Sequence, residues 1–238
     1  MSKPYKYKVK LKRSFAFKCL KVFLKIFKRR PEVINLSGGE LEPKAIYLSN
    51  HAGADGPMTY EMYFPLLLTG WGASPMFGNA KERWNYLYRV FYIQKLHWNK
   101  AKAFIVASLF TPISKMIYRA IGLIPTYTDS RFITSIKTSC KILDENSPIL
   151  IFPEDSTKGY INPPESFNKG FLTLAKLYYK TKKVDLPVYS MYLIGGKKRK
   201  IVIAPPIHVN QLLAEGKTED EICAIALENM QRLYYENK

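Results

Sequence analysis

The sequence predicts an α/β fold: a single domain with a mainly parallel central sheet flanked by helices, preceded by a basic amphipathic helix. Three observations predict it. Short apolar runs such as Ala45–Ser49 and Pro148–Phe152 alternate with longer stretches of helical periodicity, the order that a parallel sheet with crossover helices requires. The chain has 238 residues, 47% of them hydrophobic, enough to bury one large core. The first thirty residues carry many Lys and Arg and no acid, Glu32 being the first, so they form a segment of their own.

Within Ser14–Arg29, Lys18, Lys21, Lys25 and Lys28 recur at helical spacing and make one stripe. Phe17, Leu20, Val22, Phe23, Leu24, Ile26 and Phe27 cover the remaining arc. Such a helix suits a membrane interface, where each Lys or Arg near anionic lipid contributes roughly 1 kcal/mol. It equally suits a helix packed on the domain with its lysines in water. Residues 1–30 are read as a membrane-binding segment and 31–238 as the main domain. Pro31 ends the helix, Glu32–Leu36 alternates like a strand, and Gly38-Gly39 makes a turn. Ala45–Ser49 is a buried strand, Thr59–Leu68 a helix bent at Pro65, and Pro75–Asn79 a strand followed by helix through Trp98. Helices are expected over Lys100–Ile121, Arg131–Leu143, Phe167–Thr181 and Thr218–Tyr235. Strands are expected at Ile124–Tyr127, Pro148–Phe152, Leu186–Ile194 and Lys200–Ala204.

Lys and Arg number 37 against 19 Asp and Glu, a net charge of +18 that favours a polyanionic partner. Nucleic acid is not expected: there is no recognition motif, and the N-terminal helix is too apolar for a solvated recognition helix. Anionic membrane lipids remain. Cys19, Cys140 and Cys223 are far apart and odd in number, which points to a reducing compartment rather than a disulfide framework or a zinc site. No signal peptide is visible, and no segment reaches about 20 uninterrupted apolar residues. The nearest, Ala103 to Ile124, contains Lys115 and Arg119. A chain of this kind is expected to lie on the cytoplasmic side of a membrane, peripheral or monotopic.

Two segments carry chemistry. In Asn50-His51-Ala52-Gly53-Ala54-Asp55 a strand delivers a His and an Asp four residues apart. An Asp that accepts from one imidazole nitrogen fixes the tautomer and leaves the other nitrogen as a base. The same residues also suit a loop histidine beside a helix-capping aspartate. In Phe152-Pro153-Glu154-Asp155-Ser156-Thr157-Lys158-Gly159 an apolar strand delivers a glutamate and a polar loop to its carboxyl end, where α/β sheets bind ligands. Ser156, Thr157, Lys158 and nearby amides suit a phosphate. A plain polar turn would look alike. His97 and His208 read as structural. Trp71, Trp84 and Trp98 suit a membrane interface or ordinary packing.

Taken together, and in this order, the two segments resemble the glycerolipid acyltransferase family, whose members carry an N-H-x-x-x-x-D segment followed by F-P-E-G-T-R. Ala80-Lys81-Glu82, Gly122–Pro125 with Arg131, Phe167–Phe171, Leu186–Val188 and Ile203–Ile207 are similar to further family segments. The resemblance covers Ala45 to Leu233 and implies an acyltransferase domain over 31–238. It implies His51 as general base and Asp55 as its orienting partner. Substrate would be held by Lys81, Arg131, Glu154, Ser156, Thr157 and Lys158. The donor would be acyl-CoA or acyl carrier protein, a co-substrate rather than a resident cofactor, and the acceptor a lipid hydroxyl. No metal is implied. The sequence departs from the pattern in three places, one being that Arg131 sits several residues later than the family arginine would. Three residues, not four, separate His51 from Asp55, and Asp155 and Thr157 replace the glycine and arginine of F-P-E-G-T-R. The changes at the phosphate positions point to an acceptor other than plain glycerol phosphate, or one held differently, and the shortened spacing to a relative that binds lipid with an impaired relay.

Overall fold

In the computed structural model, which describes Tyr5, Val9 and residues 11–53 and 55–238, the apolar runs form the strands of one sheet. They are β1 (Glu32–Asn35), β2 (Ile46–Ser49), β3 (Thr69–Ala73), β4 (Ile124–Thr126), β5 (Ile149–Ile151), β6 (Pro187–Ile194), β7 (Lys200–Ile203) and β8 (Ile207–His208). The order is β1-β7-β6-β2-β5-β3-β4, with β8 beside the start of β6. Neighbours run parallel except β6 with β7 and β8. The fold is therefore a single α/β domain with a mainly parallel sheet.

Strands buried on both faces read as continuous apolar runs. Ile46, Leu48, Ile149 and Ile151 point to a core shared with the helices α5 (Phe132–Asp144), α6 (Gly170–Lys182) and α8 (Glu219–Asn237). Tyr47 and Leu150 point to the other face, where Tyr60 of α2 (Asp55–Tyr63) and Phe64 pack. A third cluster joins Leu87 and Tyr92 to Ala103 and Ala107 of α4 (Lys100–Ile121). The short helices α3 (Ala80–Asn85) and α7 (Val209–Ala214) complete the set.

Several expectations change. Helix α2 stops at Tyr63, so residues 64–68, expected to be helical, are irregular, and strand β3, which follows at Thr69, was not anticipated. Its Thr69-Gly70-Trp71-Gly72-Ala73 sequence has a single large apolar residue and so no alternation to read. The strand expected at Pro75–Asn79 is a 3-10 turn, Ser74–Phe77. Tyr86–Lys95 winds as a π-helix. Helix α4 is, by length and composition, long and apolar enough to cross a membrane, and Phe104, Ile105, Leu109, Ile113 and Met116 stand exposed along it.

Helix α1 (Phe15–Phe27) forms as expected, with Ser14 as its N-cap, but half of its basic stripe is engaged by the domain while Lys18 and Lys25 stay exposed. Lys21 pairs with Glu61 at 2.9 Å, Lys25 lies over the Tyr63 ring, and Lys28 pairs with Asp55. Arg13, just before the helix, bonds the same Glu61. The charges dock α1 on α2 and Phe17 is buried, while much of the apolar arc is left outside, with Phe15, Ile26 and Phe27 more than 70% exposed. Most of residues 1–10 of the proposed 1–30 segment, and Ala54, lie outside the described residues.

Candidate active site

The register of the sheet brings the two chemical segments together. Leu48 of β2 pairs with Ile151 of β5, so the chains leave the same carboxyl edge side by side. Asn50 then holds its exit to the neighbouring strand. Its Nδ2 donates to the Leu193 carbonyl at 3.2 Å and its Oδ1 accepts from the Leu193 N–H at 2.7 Å. Across the gap, the His51 N–H donates to Glu154 Oε1 at 2.8 Å.

Ala52 and Gly53 both take left-handed backbone, φ 46° and 64°. For an alanine this costs about 1 kcal/mol. The turn carries the Gly53 carbonyl back onto Nδ1 of His51. A carbonyl only accepts, so Nδ1 carries the proton and Nε2 keeps its lone pair. The ring stacks on Tyr160, with centroids 4.4 Å apart, and lies 4.6 Å from Phe152. Burial pushes the imidazole down to about 4. The Gly53 bond opposes this, and the Lys95 charge adds to it. The ring is neutral at pH 7.

Glu154 is buried, and burial pushes its carboxyl up to about 7 against the pull of the His51 N–H and Lys95. A bridge to Phe167 and the Asp155 N–H to Ser166 carbonyl bond at 3.0 Å hold its segment. Beyond it the loop folds on itself. The Thr157 N–H reaches Asp155 Oδ1 at 3.0 Å, and Gln94 Nε2 donates to the Thr157 carbonyl at 2.9 Å. Glu154, Asp155, Thr157, Lys158, Ile161 and Ser166 line a cleft of about 90 Å³. Gly159, at φ 101°, allows the loop to close on His97, because a Cβ there would sit 2.2 Å from Nε2.

The expected contact between Asp55 and His51 is absent from this geometry. The Asp55 carboxylate meets Lys28 and Arg199. The reason is steric and electrostatic. Helix α2 starts so close to His51 that a Cβ on Gly56 would lie 2.1 Å from the His51 carbonyl oxygen. The carboxylate of the preceding residue is directed toward α1 and the β6–β7 turn, where two full cations outcompete a neutral ring.

The other residues predicted from sequence divide. Glu154, Thr157 and Lys158 share the cleft, with Ser156 in the same loop. Arg131 lies after β4, three strands and roughly 14 Å from β2. It pairs with Asp129 at 2.7 Å and covers the Tyr127 ring. Lys81 is exposed at the start of α3. Gly53, Lys95 and Tyr160 were not anticipated. Tyr160 follows Glu154 by only six residues, a usable signal. Lys95 had none, since its place depends on how the π-helical stretch packs. Among the described residues, no three of His, Cys, Asp and Glu converge in a way that would hold a metal ion.

The comparisons with known proteins are sparse. No family model matches the chain, and no curated protein matches it. Among solved structures the chain is similar to the 1-acyl-sn-glycerophosphate (LPA) acyltransferase PlsC from Thermotoga maritima. Identity is 12% and the TM-score 0.49, over 94% of this chain and 90% of that one.

Proposed function

We propose that this protein is a membrane-associated O-acyltransferase. It moves a fatty acyl group from a thioester, acyl-CoA or acyl carrier protein, to a hydroxyl of a glycerolipid-like or lysophospholipid acceptor. The observation that carries this reading is the His51 ring. It is neutral, fixed at Nδ1 by the Gly53 carbonyl, and set beside Glu154 at the carboxyl edge of the sheet. Nε2 takes the proton of the acceptor hydroxyl as its oxygen attacks the thioester carbon. The carbon–sulfur bond breaks, and the proton passes from Nε2 to the departing sulfur, giving an ester and a free thiol. Among the described residues no Ser, Thr or Cys side chain bonds the ring, which favours direct attack over an acyl-enzyme.

Gly53 takes the orienting role that the sequence suggested for Asp55. Lys158 and the loop amides beside Glu154 are the substrate-holding groups of the reading. Arg131 and Lys81 contribute only if substrate extends along the sheet edge toward them. The exposed apolar arc of α1 and the exposed face of α4 support contact with a membrane, placed on its cytoplasmic side.

A second reading has its own observation. With Asp55 engaged by Lys28 and Arg199, and His51 a weak base, the chain also suits a lipid-binding relative with an impaired relay. Thiol release from acyl-CoA, measured with a lipid extract as acceptor, separates the two. His51→Ala is expected to lose roughly 10²- to 10⁴-fold in rate while keeping its circular dichroism. Equal rates for the two proteins would leave only the binding reading.

A further inference from the structure

The cations assigned from sequence do not meet His51. Lys158 and Lys81 are exposed, and Arg131 is engaged with Asp129 beyond β3. A different lysine does approach. Lys95 ends the π-helical stretch against the loop that follows Glu154. Its carbonyl accepts from the Tyr160 N–H at 3.2 Å, and its neighbour Gln94 bonds the Thr157 carbonyl. Its ammonium lies 5.4 Å from the centre of the Tyr160 ring, the ring that stacks on His51. Among the described residues it has no carboxylate within 4 Å. The Tyr160 hydroxyl is buried and also has no hydrogen-bond partner among them.

We propose that Lys95, which ends the π-helical stretch over the Tyr160 ring, binds a phosphate group of the substrate at this site. A half-buried ammonium without an ion pair is costly, and an anion is the group that offsets the cost. Burial lowers the basicity of Lys95; Glu154, itself pushed toward its neutral form, and the ionised Asp155 pull the other way, but neither carboxylate lies within 4 Å of the ammonium. Among the described residues the Lys95 ammonium has no ion pair and the Tyr160 hydroxyl no hydrogen-bond partner. The same charge lowers the basicity of His51. A phosphate on Lys95 would remove that penalty, so binding the correct substrate would strengthen the base. The assignment rests on the acyl-transfer reading for the choice of phosphates, which belong either to a lysophosphatidate acceptor or to CoA.

Binding by the full-length protein tests it, with tryptophan fluorescence as the readout. Lysophosphatidate is compared with monoacylglycerol, and CoA with pantetheine. Lys95→Met is expected to lose roughly ten- to hundred-fold in affinity for one phosphorylated member, with its unphosphorylated partner unaffected. The pair affected identifies the source, and Lys95→Arg recovers part of the loss. In turnover, the His51 limb of the kcat/KM profile should stand at higher pH in Lys95→Met than in wild type. Unchanged affinity for both phosphorylated compounds overturns the proposal, as does failure of wild type to distinguish either pair. Should Lys95→Met misfold by circular dichroism, Lys95→Gln carries the same comparison. Binding losses without any turnover in wild type would end the acyl-transfer reading and leave Lys95 as the phosphate ligand.

Discussion

At the residue scale, His51 and Glu154 are displaced in ways that oppose each other. His51 is depressed to about 4 from an ordinary 6.5 by burial, so the unfolded chain binds the extra proton between those values and stability rises with pH there. Glu154 is raised to about 7 from 4.5 by burial, so the folded chain binds the extra proton and stability falls as pH climbs through that window. Between pH 4.5 and 6.5 the two slopes cancel in large part. Glu154→Gln removes one of them. The stability of wild type relative to this variant is expected to fall between pH 4.5 and 7, by about 3 kcal/mol for a shift of this size. Urea denaturation at several pH values measures it, and a pH-independent difference would contradict the burial of Glu154. The histidine was legible in the sequence as a candidate base. Its actual partner was not, because a backbone carbonyl leaves no mark in side-chain spacing.

Helix α1 shows how an element can be read correctly and oriented wrongly. Periodicity distinguished a basic stripe from an apolar arc, yet an isolated helix does not state which side meets protein. The answer lies on α2. Glu61, almost wholly buried, accepts from Arg13 Nε at 3.1 Å and Nη2 at 2.9 Å and from Lys21 at 2.9 Å. Removing one partner of such a pair strands the other charge in the interior. Glu61→Ala is therefore expected to cost about 3 kcal/mol or more by denaturant unfolding. The loss should show as increased protease cleavage within α1 before the rest of the chain. A change under about 0.5 kcal/mol, the range of an exposed pair, would mean that α1 is not docked in solution. The missed strand β3 has a similar cause: with two glycines and one tryptophan, it owes its form to its neighbours β4 and β5.

Over the whole molecule, charge and apolar surface converge at one edge of the sheet. Strands β1 and β7 are parallel with Glu32 opposite Lys200. Arg29 and Arg30, just before β1, and Lys197 and Lys198, in the turn before β7, are exposed at the start of these two strands, and Arg199 bonds the Arg29 carbonyl at 3.1 Å. Because β7 begins where β6 ends, and β6 is parallel to β2, this basic rim shares the edge that carries His51. It adjoins the exposed Phe23, Ile26 and Phe27 of α1. The proposed membrane contact is therefore expected to draw its electrostatic part from Arg29, Arg30, Lys197 and Lys198 more than from the helical stripe, in which Lys21 and Lys28 are already paired. Substituting Arg30, Lys197 and Lys198 with Gln should weaken co-sedimentation with phosphatidylglycerol vesicles about five-fold per charge at low salt. Binding to phosphatidylcholine vesicles should change little. Wild-type binding that favours neither lipid would remove the electrostatic part of the argument.

The sequence by itself determined the fold class, because strands buried on both faces must be apolar throughout and the helices between them must cross over. The two chemical segments were legible too, since both sit directly after short, largely apolar strands. Which residues touch was set by the folded arrangement. The register of β2 with β5 put His51 beside Glu154. The start of α2 at Asp55 sent that carboxylate to Lys28 and Arg199, and the packing of the π-helical stretch brought Lys95 to Tyr160. Local periodicity reports which face of an element is apolar. Pairings between residues far apart in the chain depend on register and packing, which no local pattern encodes.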